Sequence, residues 1–292
     1  MTELWQVWQR FWLLPVDRLP LATMRLVTGF TLIVSFFIYG LNLPHWLYGA
    51  PVFEDQLMLE LYDLRAPYSF FNLAGSLTAA WVIYVLHFIP VILFTIGWGG
   101  RWTTFATYLA FCSIGNRNPA ILFGFDEYMA TFLIVFLIHP AMDYFSVKRG
   151  AFKPGALAPT IALRLFQFIF AVRYFAAGYY KPTAQWADGS VLWETLNNFE
   201  IWKYDISFLH PLWNSFGLMS LGIKLFELFF VPLILYRPTR NLAIGFGLLM
   251  HLGIGVMTPL MSFSWLMMVG YLAFIPSGWL RRLYHRVVKN EE

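Results

Sequence analysis

Residues 74–97 read AGSLTAAWVIYVLHFIPVILFTIG, with no Asp, Glu, Lys or Arg among them. A run this long and apolar matches the roughly 20 residues of α-helix that cross a hydrocarbon core. Working outward, further apolar runs bounded by Gly, Pro or charge fall at 21–40, 101–120, 127–141, 161–180, 216–236, 241–258 and 260–277. Together they predict an all-α polytopic membrane bundle of about eight transmembrane helices. Several runs are short, and only Thr258-Pro259 parts the last two, so counts of seven and nine stay open.

The composition of the 292-residue chain points the same way: it is 59% hydrophobic, 20% aromatic and 12% charged, with a mean hydropathy of +0.60. A soluble domain carries roughly 25% charge, so this chain has too few polar side chains to cover a water-facing surface. Cytoplasmic enzymes, nucleic-acid-binding modules and disordered scaffolds are excluded, and membrane lipids are the first expected partner. Residues 1–14, MTELWQVWQRFWLL, place Trp5, Trp8 and Trp12 at helical spacing and lack a small-residue cleavage site. They predict an interfacial amphipathic helix rather than a cleaved signal peptide. Residues 15–280 then form a single transmembrane domain, and 281–292 a basic cytoplasmic tail. Cys112, the one cysteine, lies in an apolar run and reads as a packing residue.

Orientation follows from the positive-inside rule. With eight spans and a cytoplasmic N-terminus, twelve Lys and Arg residues fall inside, including Arg101, Lys148, Arg149, Arg237 and Arg281. Four fall outside: Arg65, Arg117, Lys181 and Lys203. The expected location is the plasma (inner) membrane with both termini cytoplasmic. Two long loops, at about 41–73 and 181–215, face outward and carry Glu54, Asp55, Glu60, Asp63, Asp188, Glu194, Glu200 and Asp205. Loops longer than about 12–15 residues are more often functional than accidental. Their aromatic content predicts short interfacial helices roofing the outer end of the bundle.

Charge inside a membrane costs at least about 2.5–3.5 kcal/mol per Lys, Arg or Asp and demands a partner or a purpose. Lys224 and Glu227 stand three apart and so share a helical face on which they can neutralise each other. They read either as a structural pair or, with Arg173, as part of an intramembrane charge network. Arg25 and Arg164, near span ends, are expected to snorkel to headgroups. Arg173 lies deeper, with Glu227 or Asp126 as alternative partners. His87 and His251, in apolar surroundings, read either as satisfied core residues or as proton-handling groups. His-Glu-x-x-His, Cys-x-x-Cys, phosphate-loop and Gly-x-Ser-x-Gly motifs are absent from the sequence, and no metal site is expected.

The most informative stretch is 173–189, RYFAAGYYKPTAQWADG. Gly178 permits close approach by a neighbouring helix, and Lys181 emerges where an apolar pocket meets water, a setting that suits a lysine base. The plainer reading makes Lys181 an interfacial anchor. The spacing of Tyr174, Gly178, Lys181, Trp186 and Gly189 resembles the HTTM (horizontally transferred transmembrane domain) proteins and the vitamin K-dependent gamma-carboxylase superfamily. PVDRLPLATMRLVTGF, GFDEYMATFLIVFLIHPAMDYFSV, and ELFFVPLIL followed by RNLAIGFGLLMHLGIGVM agree with the family in order, so that the similarity runs from about 15 to 277.

In the carboxylases the matching lysine is taken to deprotonate vitamin K hydroquinone. Oxygen then adds to give a strong base, which removes the gamma proton of a glutamate, and carbon dioxide captures the resulting carbanion. Carried over, the resemblance implies Lys181 as base, His251 as a pocket residue, and Asp126 where the carboxylases have a functional histidine. It further implies Tyr174, Gly178 and Trp186 as the surroundings of a reduced, vitamin K-like quinone. Lys181, Trp186, Asp126 and His251 are then expected to converge on one outer pocket.

Three functions remain in play. The first is a hydroquinone-using carboxylase- or oxidoreductase-like enzyme at the outer face, with a secreted peptide or protein as a further partner. The second is a non-catalytic factor for maturation or export of a secreted peptide, similar to sporulation-delaying B proteins. The third is a proton-coupled transporter using His87, Arg173, Glu227 and His251, for which the sequence shows no internal repeat.

Overall fold

The computed structural model describes residues 3–48, 68–119, 122–139, 141–142, 145–147, 157–159, 161–198 and 203–289. The acidic residues Glu54, Asp55, Glu60, Asp63 and Glu200 and the basic Arg65, Lys148 and Arg149 lie outside these. Among the described residues the fold is all-α apart from one antiparallel pair of three-residue strands, β1 (Pro15–Asp17) and β2 (Leu157–Pro159). Helices cover every apolar run read from the sequence. Four of them, Leu19–Leu41, Leu77–Thr95, Ile161–Tyr180 and Arg237–Met257, are long and apolar enough to cross a membrane, and the count rises to five if Met261–Phe274 and Ser277–Leu283 form one broken span. The chain is a multi-pass membrane protein.

The described chain divides into two compact units. The first comprises the residues up to Arg164 together with those from Ile275 onward. It opens with α1 (Glu3–Leu13), whose Leu4, Trp5, Val7, Trp8 and Phe11 are exposed. Its helices α2 (Leu19–Leu41), α3 (Leu43–Trp46), α4 (Leu77–Thr95), α5 (Gly100–Arg117) and α6 (Gly124–Ile138) follow in order. The turn from α4 to α5 passes through Gly97 and Gly99 at φ of 74° and 87°, a left-handed region that favours glycine. Where α2 crosses α4, a Cβ on Gly29 would stand 2.9 Å from the Thr95 Cα. That contact brings Arg25, one turn away, to the C-terminal end of α4.

Arg25 therefore does not snorkel. It is fully buried and donates to the carbonyls of Phe94 at 2.6 Å, Thr95 at 2.8 Å and Phe145 at 2.9 Å. Arg164 is half-buried, its guanidinium lying 4.7 Å from the centre of the Phe11 ring on α1. His87 sits between the rings of Phe70 and Phe71, with Nδ1 2.8 Å from the Ile83 carbonyl.

The second unit runs from Leu165 to Phe274. It holds most of α7 (Ile161–Tyr180), the short helices α8 (Thr183–Ala187) and α9 (Ser190–Asn197), then α10 (Trp213–Leu228), α11 (Phe230–Leu235), α12 (Arg237–Met257) and α13 (Met261–Gly270). The run expected as one helix over 216–236 is broken at Phe229. Pro232 explains the break, because its ring would clash with the carbonyl four residues back in a continuous helix, whereas a first turn accepts it. The core is aromatic: Phe166, Phe170, Tyr174, Phe230, Tyr271 and Phe274 are all buried, and Tyr174 stacks on Phe230 with centroids 4.2 Å apart.

Candidate functional site

The segment from Gly178 to Gly189 lies along one face of α10. Two glycines fix its ends. A Cβ at Gly178 would lie 2.5 Å from the Leu228 backbone nitrogen, and one at Gly189 would lie 2.6 Å from that of Gly217. Gly189 also has a φ of 84°, so both its conformation and the space around it favour glycine. Between these contacts α10 presents Gly217, Ser220, Lys224 and Glu227, spaced three, four and three residues apart, which is a single helical face.

Each of these residues is engaged. Lys181 Nζ pairs with Glu227 Oε2, their side chains being 19% and 10% exposed. Lys224 Nζ donates to the Lys181 carbonyl and to Thr183 Oγ1, both at 2.6 Å. Ser220 Oγ donates to the Trp186 carbonyl. The Lys181 ammonium lies 4.7 Å from the centre of the Trp186 ring, close enough for a cation–π attraction. The expected pairing of Lys224 with Glu227 along the helix is thus replaced. Glu227 reaches across to Lys181, while Lys224 caps the chain where α7 ends, where carbonyls lack helical partners and the dipole is negative. Arg173 is half-buried on α7, and the Glu227 carboxylate proposed for it is held by Lys181.

Asp188, in the loop after α8, accepts the Ser190 backbone N–H at 2.8 Å. That bond and the Ser190 hydroxyl hold its carboxyl below the usual aspartate range. The same arrangement at Asp205 and Ser207 lowers the Asp205 carboxyl. Trp193 on α9 packs against His210, Trp213 and Phe216, with centroids 5.1–5.7 Å away.

Of the residues singled out from the sequence, Lys181, Trp186, Gly178, Lys224 and Glu227 meet in this cluster. His251 and Tyr174 join elsewhere in the same unit, with Tyr174 Oη 2.6 Å from His251 Nε2. Asp126 belongs to the first unit, where its carboxylate accepts the Phe123 N–H at 3.0 Å and closes the N-terminal end of α6. The sequence reading missed Thr183, Gly217, Ser220 and Tyr271. Gly217 and Ser220 carried a usable signal, since GLMSLGIKLFE repeats small and polar residues at helical spacing. Among the described residues no group of three or more His, Cys, Asp or Glu side chains could hold a metal ion.

Comparison with known proteins adds one finding. No curated protein and no solved structure matches the chain. The sequence model of the HTTM domain, however, matches residues 68–279, which is most of the chain and includes the whole second unit. With its apolar helices and the Gly178–Gly189 segment clamped on α10, the chain belongs to the HTTM domain family.

Proposed function

We propose that this protein is a membrane enzyme of carboxylase-like or oxidoreductase-like chemistry that takes a reduced, vitamin K-like quinone from the bilayer and acts on it through Lys181. The observation that carries this reading is the Lys181–Glu227 ion pair lying against Trp186. The donor set suits such a ligand: an indole face for a flat ring, and an ammonium beside a carboxylate for a phenolic hydroxyl. When bound, a hydroquinone would supply the reducing electrons of the reaction.

The chain's own contribution is to hold and move a proton. Away from bulk water an ammonium–carboxylate pair and its neutral counterpart come closer in energy, because desolvation penalises both charges. Transfer of one proton from Lys181 Nζ to Glu227 Oε2 leaves a free amine, the form that acts as a base. Trp186 and the Lys224 contact to the Lys181 carbonyl fix that amine in place, and the two glycine contacts hold the segment to α10.

The reading carries a topology with it. Eight spans, both termini in the cytoplasm and a plasma-membrane location put the 181–215 loop at the outer face, where the ligand meets a secreted peptide or protein substrate. The test is native mass spectrometry with lipid extraction on gently purified wild type and Lys181→Ala. A quinone retained by wild type and weakened in the variant is the expected result. No quinone in either would instead favour a non-catalytic peptide-maturation factor, with Lys181 as a membrane anchor.

A further inference from the structure

The helix α14 (Ser277–Lys289) belongs to the first unit and packs on α2. An ion pair sets its place. Asp17, the last residue of β1, accepts the Leu19 backbone N–H through Oδ1 at 3.1 Å. Its Oδ2 accepts the Arg281 guanidinium, with Nε at 2.8 Å and Nη2 at 2.7 Å. Leu280 beside Arg281 is buried. These contacts tie α14 to the N-terminal end of α2, a helix long and apolar enough to cross a membrane, so α14 lies at a membrane boundary. Crossing is costly for α14 itself, which carries Arg281, Arg282, Arg286 and Lys289.

The open face of α14 is mixed in character. Trp279, Arg282, Leu283 and Arg286 are all exposed, and their spacing of three, one and three residues puts them on one side of the helix. Leu280 and Arg281 point away from that side. Trp279 and Leu283 keep 50% and 47% of their surface open, which a face that meets only water does not need. Among the described residues Arg282 and Arg286 have no hydrogen bond or ion pair, in contrast to Arg281. The chain of α1 runs through β1 into the same end of α2, and α1 exposes Leu4, Trp5, Trp8 and Phe11. Aromatic and aliphatic side chains interleaved with arginines compose a helix that lies in a bilayer interface, where the apolar groups sink and the guanidinium groups rise to the headgroups.

We propose that α14 docks on negatively charged phospholipid: Trp279 and Leu283 enter the acyl boundary, Arg282 and Arg286 hold the headgroup phosphates, and the Asp17–Arg281 pair keeps the helix at that depth. Charge decides the occupant. A guanidinium can only donate, so its partner is an acceptor-rich anion, and a negative bilayer surface adds about a fivefold preference per cation over a neutral one. Phosphatidylglycerol, with its net negative headgroup, fits this face. Phosphatidylcholine, whose own ammonium offsets its phosphate, does not. The proposal stands apart from the Lys181 reading and uses none of its residues.

The test attaches a bimane fluorophore to Gly278→Cys, beside which the space is open, in a Cys112→Ser background that removes the free cysteine. The full chain is followed in nanodiscs as phosphatidylglycerol replaces phosphatidylcholine. The emission is expected to shift to the blue as the label enters the interface. Arg282→Gln raises the phosphatidylglycerol fraction needed about fivefold, the worth of one cation. Arg282→Gln with Arg286→Gln abolishes the response and Arg282→Lys with Arg286→Lys restores it, with melting temperatures near wild type because both side chains are exposed. The same emission at every lipid composition, or an unchanged response in the double glutamine variant, overturns the proposal. So does a blue shift produced by soluble polyglutamate in pure phosphatidylcholine, which would make this face a dock for an acidic protein segment.

Discussion

Arg25 and Lys181 are both cations in apolar surroundings, and the protein holds them in opposite ways. Arg25 is fully enclosed, and its guanidinium donates to three backbone carbonyls, two of them at the C-terminal end of α4. Such carbonyls have no helical partner, and the dipole there favours a positive charge. Lys181 instead faces one carboxylate and one indole ring, and its side chain keeps 19% exposure. The first arrangement is closed and serves the fold. The second leaves part of the lysine side chain accessible, which a fold alone does not require. A charge within a membrane protein is therefore no sufficient mark of a site; the completeness of its enclosure separates the two.

The sharpest way to break this contrast is Arg25→Met. It removes three hydrogen bonds to backbone carbonyls and should cost on the order of 3 kcal/mol or more, seen as lost folded yield and a lowered melting temperature with no specific effect on ligand binding. Gly178→Val comes next. The added side chain meets the α10 backbone, so a cost of about 1–3 kcal/mol is expected, together with a loosened Lys181–Glu227 pair and weakened hydroquinone binding.

Glu227→Gln should cost about 1–2 kcal/mol in thermal stability. A double-mutant cycle with Lys181→Met should return a coupling of about 0.5–3 kcal/mol; additivity within error would mean that the pair is incidental. Trp186→Leu removes the cation–π contact, for about 0.5–1 kcal/mol, and should affect ligand affinity more than melting.

The smallest effect concerns Asp188. Its folded carboxyl titrates below the ordinary aspartate range, so its contribution is complete above that range and is lost as pH falls through the lowered value. Amide exchange in α9 should quicken in that acid window, and Asp188→Asn should remove the pH dependence.

The helical segments were legible because apolar runs bounded by Gly, Pro and charge are a one-dimensional signal. The break at Phe229 was written in Pro232, but a proline in a membrane helix is compatible with a kink as well as with a break. Charge partners were harder to read. Spacing along a helix offers Lys224 as the neighbour of Glu227, whereas the actual partner depends on α7 and α10 approaching at Gly178, a tertiary fact. Arg25 was misjudged for the same reason, since its acceptors lie about 70 and 120 residues away. Tyr271 carried no local mark at all: only folding brings its hydroxyl to Tyr174.

The central claim, that Lys181 holds and exchanges a proton with a hydroquinone, is tested most directly by the absorption spectrum of a naphthohydroquinone bound to the protein under anaerobic conditions. The account predicts the phenolate spectrum at a pH where the free compound is neutral, lost in Lys181→Met but kept in a folded variant destabilised to a similar degree at a distant position. A neutral spectrum on wild type, or the same phenolate spectrum in Lys181→Met, would contradict it.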